Sequence, residues 1–383
     1  MSIFKNTEVA FKDKNRFDLY RAYLLFKIIS NPILSKILIT ILKISFKLHL
    51  PINWIIKNTV FKQFCGGENI RTSKKITKKL WASKIGSILD YSVEGNQSEL
   101  DFNKCMNEII NCIKYASEND NIPFSVFKTT GITNFELLKK ISSGNELNEI
   151  EKKQKYLLEK KFDKICYNAE KYNVPILVDA EESWIQNAID EIVLKMQKKY
   201  NKHKPIVYNT LQMYRHDRIK YLNQILKDAK KEKFYLGLKI VRGAYHQKEI
   251  NRAKKFNYIC PVHTLKNKTD EDFNEALKIC VKNYEIVSIC AGTHNEESSA
   301  ILSKLITNNN INNRIYFSQL LGMSDHISYN LSKKNYNVAK YVPYGPIREV
   351  IPYLIRRAEE NISIEGQIGR ELSNIILEIK RRN

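Results

Sequence analysis

Two adjacent arginines near the carboxyl terminus have the residue types and spacing of an anion-binding site. They lie in YVPYGPIREVIPYLIRRAEEN, residues 341–361, where Pro346 suits the first turn of a helix because its missing N–H would have no partner there. On a helical period of 3.6 residues, the polar side chains of this segment share one face, namely Tyr353, Arg356, Arg357 and Glu360. Paired guanidinium groups beside a phenol predict hydrogen bonds to a carboxylate or phosphate. A solvated charged face is the alternative.

Further side chains capable of chemistry follow short apolar runs of the chain. Eight such runs have the composition of buried strands, at residues 85–90, 124–129, 175–179, 206–210, 236–242, 286–291, 314–319 and 338–342. Helical periodicity separates them, at residues 100–118, 135–171, 185–200, 217–233, 252–283, 296–308 and 323–335, and residues 347–361 form the last helix. This alternation predicts an α/β fold with a parallel sheet closed as a (β/α)8 barrel. A doubly wound open sheet is the alternative, but its glycine-rich turn after the first strand is absent.

In such a barrel, the polar residues at the carboxyl ends of the strands surround one common mouth. The sequence supplies a candidate after nearly every strand: Lys128, Asp179, Gln212, Lys239, Arg242, Thr293, His294, Asn295, Gln319 and Tyr341. Each could be an ordinary loop residue, and Asp179 could cap the next helix. Their convergence on one rim is what predicts an active site. His216, Asp217 and Arg218 are interpreted as helix-start and surface residues.

Composition and charge limit the classes of protein to which the chain can belong. The 383 residues carry a net charge of +22, which favours anionic partners, although the lysines are dispersed and no nucleic-acid-binding motif is present. Seven scattered cysteines without a CxxC motif indicate a reduced, intracellular, cytoplasmic protein.

Residues 1–84 are predicted to form an amino-terminal helical region, and residues 85–383 are predicted to form the barrel domain. The apolar segment from residue 19 to 64 contains six lysines, too many for a spanning helix, so it is expected to pack on the barrel or to lie on a membrane surface.

Several motifs, in order, resemble signatures of the proline dehydrogenases, FAD enzymes that oxidise L-proline. They are FSVFKTT, DAEE, YNTLQMY, LKIVRGAY, GTHN, SQLLGM and the tyrosine, glycine, paired arginines and Glu-x-Asn of residues 341–361. Weaker similarity to bacterial members extends through FCGG and SILDYSVEG. The resemblance implies a monofunctional enzyme of bacterial type, with the last helix over the barrel mouth. The chain has lysine at 239 where the family often has arginine.

The resemblance also implies a role for individual residues. Lys128, Arg356 and Arg357 would hold the substrate carboxylate, and Asp179 and Lys239 would be the catalytic residues. The proline pocket would be completed by Asp179, Leu321, Tyr341 and Tyr353. The residues expected to contact FAD are Ala180, Gln212, Lys239, Val241, Arg242, Gly243, Ala244, Thr293, His294, Asn295, Gln319 and Glu360. No metal site is expected.

The implied reaction is hydride transfer from L-proline to flavin N5, which yields Δ1-pyrroline-5-carboxylate in the first step of proline catabolism. A quinone would accept the electrons, with peripheral contact at the inner membrane. Two other classes stay open on the residues alone. One is a metal-dependent hydrolase on the same barrel, and the other is a basic, non-catalytic adaptor for a membrane or nucleic acid.

Overall fold

The computed structural model describes residues 3–48, 51–92, 98–311, 314–363 and 367–383. Within these ranges the side chains at positions 43, 46, 47, 357–363, 367 and 368 lie outside the description. Contacts divide the chain into two compact units, residues 1–94 with 319–383, and residues 95–318. The domain boundary expected after residue 84 remains a prediction.

Eight parallel strands form a closed barrel in the order β1 to β8, which confirms the predicted fold class. The strands are β1 (Ile85–Tyr91), β2 (Phe124–Lys128), β3 (Ile176–Asp179), β4 (Val207–Gln212), β5 (Leu236–Val241), β6 (Val287–Gly292), β7 (Ile315–Leu320) and β8 (Val338–Tyr344). Every predicted strand is present, with ends shifted by no more than a few residues. Gln212 belongs to β4 itself, whereas the sequence placed it just beyond that strand.

The helices between the strands follow the predicted alternation, except that two predicted helices are each divided. They are α7 (Glu99–Ser117), α8 (Phe135–Ser142), α9 (Glu149–Lys171), α10 (Ser183–Tyr200), α11 (Arg218–Glu232), α12 (His246–Phe256), α13 (Lys266–Lys282), α14 (Glu296–Asn308) and α15 (Asp325–Lys333). The predicted helix 135–171 breaks at Gly144, with a φ of 71°, and restarts with a capping box between Asn148 and Glu151. The predicted helix 252–283 breaks at Asn257, which takes the left-handed conformation.

Helices also precede and follow the barrel. The amino-terminal ones are α1 (Thr7–Ala10), α2 (Arg16–Ile29), α3 (Pro32–Lys47), α4 (Asn53–Ile56), a π-helical turn (Lys57–Phe61), α5 (Lys62–Phe64) and α6 (Ile70–Trp81). Helix α16 (Ile347–Ser363) begins directly after Gly345-Pro346, as predicted, but it is not the last helix, because α17 (Gln367–Arg382) follows it.

Helix α16 buries its apolar side in a core shared with the amino-terminal helices. Val350, Ile351 and Leu354 lie in one cluster with aromatic residues from α2 and α5, among them Phe26 and Phe64. Tyr353 is buried in the same cluster and is 4% exposed, although the helical period assigned it to the polar face. The amino-terminal helices therefore serve as the packing partner of the helix that carries the paired arginines.

None of the helices in the described ranges is both long and apolar enough to cross a membrane by itself. Helix α2 and the first part of α3 meet the length and composition requirements only together, and they are bent by 98° at the break between them.

A buried cluster of charges ties the amino-terminal segment to α15 and β8. Asp325 lies 2.8 Å from Lys14 Nζ and 2.9 Å from Lys340 Nζ. The Lys340 side chain is fully buried and also donates to the Met323 carbonyl. Burial opposes ionisation of Asp325, but the two ammonium groups hold its pKa well below the usual range. The carboxylate is thus the counter-charge that allows Lys340 to stay buried.

We expect Asp325→Asn to lower the free energy of unfolding by about 3–5 kcal/mol, because it leaves Lys340 buried without a counter-charge. Urea unfolding at neutral pH measures the change. Glu68→Gln is the control in the same unit, since it removes one side of an exposed pair with Lys57 and should leave the midpoint almost unchanged. If the two variants lost the same free energy of unfolding, the prediction that the buried pair contributes more than the exposed one would be contradicted.

Candidate active site

Asp179 and Lys239, the two residues predicted to be catalytic, form an ion pair inside the unit of residues 95–318. Asp179 is the last residue of β3, and Lys239 lies in β5, where its side chain points to the same place. Lys239 Nζ donates to Asp179 Oδ1, and the lysine is only 5% exposed. The structure therefore brings together a fixed cation and a fixed carboxylate near the carboxyl end of the barrel strands.

Glu181 connects three neighbouring strand ends, and the sequence analysis did not assign it to the site. Its carboxylate accepts hydrogen bonds from Thr130 N at 3.0 Å and Thr130 Oγ1 at 2.5 Å. Its carbonyl accepts from Gln212 Nε2 at 3.0 Å, and its N–H donates to Gln186 Oε1 at 2.8 Å. Burial raises the pKa of Glu181 to about 7, against the opposing effects of Thr130 and Lys128. Glu181 therefore fixes the loop after β2 relative to the end of β4.

Gln212 has a buried acceptor that no described residue satisfies. The side chain is 2% exposed, and its Nε2 donates to Glu181, but Oε1 has no hydrogen-bond partner. An unsatisfied buried carbonyl oxygen is unfavourable by roughly 1–3 kcal/mol unless a bound molecule donates to it. Because the next strand pairs Val241 with Gln212, this acceptor lies beside another residue predicted to contact the cofactor.

Arg242 meets the Thr-His-Asn segment through the side chain of Thr293. Arg242 Nη1 donates to Thr293 Oγ1 at 2.6 Å, and its Nη2 donates to Ser298 Oγ at 2.9 Å. Its Nε donates to Asp270 Oδ1 at 2.6 Å, so part of its charge is already compensated. Asn295 caps α14 by accepting from Ser298 N at 3.0 Å, and His294 beside it is half-buried. These residues surround the start of α14, where N–H groups and the helix dipole favour an anion.

In the loop after β5, position 243 requires glycine because of the backbone conformation there and the neighbouring ring of Tyr214. Gly243 has a φ of 129°, and a Cβ there would lie 2.6 Å from the ring of Tyr214. The neighbouring Ala244 is exposed, and Ala180 and Lys128 are half-buried at the ends of their strands. The resemblance implies that Gly243 contacts FAD, and the structure adds a requirement for glycine that arises from Tyr214.

The other candidate residues lie in the unit that contains β8 and α16. Leu321 N donates to the Tyr341 carbonyl at 2.8 Å, so two residues predicted to line the substrate pocket are held together. Gln319 is buried and accepts from Ser328 Oγ at 2.8 Å. Arg356 is half-buried. The side chains of Arg357 and Glu360 lie outside the described residues, and their predicted roles remain predictions.

The strand ends also hold an acid that the sequence analysis passed over. Asp90 lies in β1, is 6% exposed and accepts from Ser92 Oγ at 2.7 Å. Asp90 stands near the carboxyl end of an apolar strand, and Glu181 stands just after one, which was the available signal. Across the described ranges, no group of three or more His, Cys, Asp or Glu side chains could hold a metal ion.

Comparisons with known proteins identify the family to which the sequence is similar. The family model described as proline dehydrogenase matches residues 73–370. The mitochondrial proline dehydrogenase 1 of Dictyostelium discoideum is 34% identical, over 98% of this chain and 74% of its own. The carbapenem biosynthesis protein CarD of Pectobacterium carotovorum subsp. carotovorum is 31% identical over 83% of each chain.

One solved structure shows the same fold. The proline utilization A protein of Bdellovibrio bacteriovorus, which was inactivated by N-propargylglycine, superposes with a TM-score of 0.74 at 19% identity. The match covers 95% of this chain and 39% of the other, so this chain spans about two fifths of that protein.

We expect Glu181 to make the fold less stable as the pH rises from 4.5, its ordinary pKa, to about 7. The folded protein holds the Glu181 proton more tightly than the unfolded chain does, so the free energy of unfolding falls across this range, by on the order of 3 kcal/mol. Chemical unfolding of Glu181→Gln at several pH values should show a smaller decline than the wild type. Glu149→Gln, at a side chain 87% exposed, should follow the wild-type profile. Parallel profiles for Glu181→Gln and the wild type would contradict the assignment.

Proposed function

Because the chain belongs to the proline dehydrogenase family, we propose that it oxidises L-proline to Δ1-pyrroline-5-carboxylate with FAD as its cofactor. The observation that carries this proposal is the set of buried groups near the strand ends: the Asp179–Lys239 ion pair and the unsatisfied acceptor of Gln212. FAD, when bound, would accept the hydride. The residues of the chain would bind and orient the substrate and the cofactor and would hold charges in fixed positions.

The residues fit a flavin in three respects. Gln212 Oε1 is a buried acceptor without a donor among the described residues, and an N–H at the edge of an isoalloxazine ring would satisfy it. Lys239 supplies a buried positive charge, which suits the side of the ring where reduction places negative charge. Arg242 and Thr293 lie at the start of α14, where a phosphate is favoured. Ala180, Val241, Gly243, Ala244, His294, Asn295, Gln319 and Glu360 are proposed as the remaining cofactor contacts.

The substrate is proposed to bind through its carboxylate. Arg356, Arg357 and Lys128 are each suited to donate charge-assisted hydrogen bonds to that group, and Asp179, Leu321, Tyr341 and Tyr353 are proposed to surround the proline ring. Arginine holds a carboxylate with two parallel hydrogen bonds, which fixes orientation as well as position. Catalysis would then depend on positioning more than on a general base.

The Asp179–Lys239 pair is proposed to set the electrostatics around the reacting carbon. Because Asp179 accepts from Lys239, the ammonium is held in place before substrate arrives and needs little reorganisation during the reaction. The Asp179 carboxylate is also proposed to interact with the substrate amine. A quinone is the proposed final electron acceptor, and the cytoplasm is the proposed compartment.

Arg356→Gln should raise the KM for L-proline by roughly 10- to 100-fold, because each charge-assisted hydrogen bond contributes about 1.5–3 kcal/mol. Steady-state assays with a soluble dye as the acceptor measure it. Arg348→Gln is the matched control, since Arg348 lies on the same helix and is exposed. A wild-type KM for Arg356→Gln would refute the carboxylate clamp.

Gln212→Leu should weaken FAD binding by about three- to tenfold, since it removes a hydrogen bond of about 1 kcal/mol and the tie to Glu181. Titration of apoprotein with FAD, followed by flavin fluorescence, gives the dissociation constants. Gln224→Leu changes an exposed glutamine on α11 and should bind FAD like the wild type. Unaltered affinity in Gln212→Leu, with an unaltered flavin spectrum, would show that Gln212 does not contact the cofactor.

A further inference from the structure

Helix α3 turns most of its large apolar side chains away from the protein. Six of them are between 46% and 70% exposed: Ile33, Leu34, Ile37, Leu38, Ile41 and Ile44. Where the side chains of α3 are described, the buried ones are two serines, Ser35 and Ser45, at 3% and 5% exposed. Helix α2 shows the ordinary arrangement and buries Leu19, Ala22, Phe26 and Ile29. Ser35 and the partly buried Leu42, which packs against the core, thus lie on the inward side of α3, while most of its branched apolar residues are exposed.

The six exposed side chains form one continuous surface, named here the apolar face of α3. At about 100° of rotation per residue, they occupy a stripe about 140° wide along the helix. Leu48, just beyond the helix end, falls on the same stripe and is 63% exposed. Single exposed apolar residues are ordinary, whereas a contiguous apolar surface marks an interaction site.

The charge of this segment indicates what covers the surface. From residue 19 to residue 64 the chain contains six lysines and one arginine and not a single aspartate or glutamate. Lys27 and Lys36, near the start of the apolar face, are both exposed. Each lysine close to an anionic membrane favours its binding. A second copy of the chain on the same surface would instead bring two strongly basic segments together, which is unfavourable.

We propose that the apolar face of α3 docks on the surface of an anionic lipid bilayer, with the helix in the plane of the interface. The 16 residues of α3 span about 24 Å, less than the roughly 30 Å of a hydrocarbon core. The bend of 98° between α2 and the first part of α3 sets the exposed helix at a right angle to the packed one. Such a helix buries its apolar side at the level of the headgroups. This inference does not depend on the proposed oxidation of proline.

Vesicle flotation of the full chain, without proline or an electron acceptor, tests the proposal. The wild type should float with vesicles of phosphatidylcholine and phosphatidylglycerol, bind vesicles of phosphatidylcholine alone more weakly, and lose affinity as salt rises. The double variant Ile37→Glu and Ile41→Glu should bind about tenfold or more weakly, because two apolar side chains no longer enter the lipid and two carboxylates meet anionic headgroups. Its thermal unfolding and dye-linked activity should match the wild type.

Ile259→Glu is the matched control. Ile259 is 92% exposed and lies outside the apolar face of α3, so the variant should bind vesicles like the wild type. A second variant, Lys27→Gln with Lys36→Gln, keeps the apolar face and should lose about fivefold in affinity for anionic vesicles for each lysine.

Two results would overturn the proposal. One is equal vesicle binding by the wild type and by the variant with glutamates at 37 and 41. The other is a wild-type dimer in sedimentation equilibrium that this variant converts to a monomer, together with absence of vesicle binding by the wild type. The second result would assign the surface to another copy of the chain.

Discussion

Parallel pairing of strands in a closed barrel is the constraint on which the site depends. Each strand runs in the same direction, so its carboxyl end opens on the same rim. The register between β2 and β3 places Lys128 beside Asp179, and that between β4 and β5 places Gln212 beside Val241. Strand register therefore makes neighbours of residues that are far apart in sequence.

The charges at this rim are buried or half-buried and already have partners within the protein. Lys239 has Asp179, Arg242 has Asp270, and Glu181 has the two donors of Thr130. A buried charge held by hydrogen bonds keeps its position when a ligand arrives, which is the condition for electrostatic preorganisation. Gln212 Oε1 is different, because this acceptor has no hydrogen-bond donor among the described residues and is available to a bound group. The rim thus combines charges that have partners with one amide acceptor that has none among the described residues.

The sequence predicted the eight strands and most rim residues because both follow from local patterns. Continuous apolar runs indicate buried strands, and polar residues just after them mark the rim. Predictions from the sequence were wrong where a residue distant in the chain determines whether a side chain is buried. Arg218 was interpreted as a surface residue, yet it is 3% exposed because Asp190 accepts from it at 2.6 Å. Tyr353 was placed on a polar face, but the amino-terminal helices cover it. The helical periodicity of α16 cannot show where those helices pack.

The reaction of the purified chain with L-proline in the absence of oxygen is the most direct test of the proposed function. We predict a yellow protein whose visible flavin absorption bleaches on addition of L-proline, with one Δ1-pyrroline-5-carboxylate formed for each flavin reduced. A colourless protein that takes up no FAD, or a flavin spectrum that L-proline leaves unchanged, would contradict it.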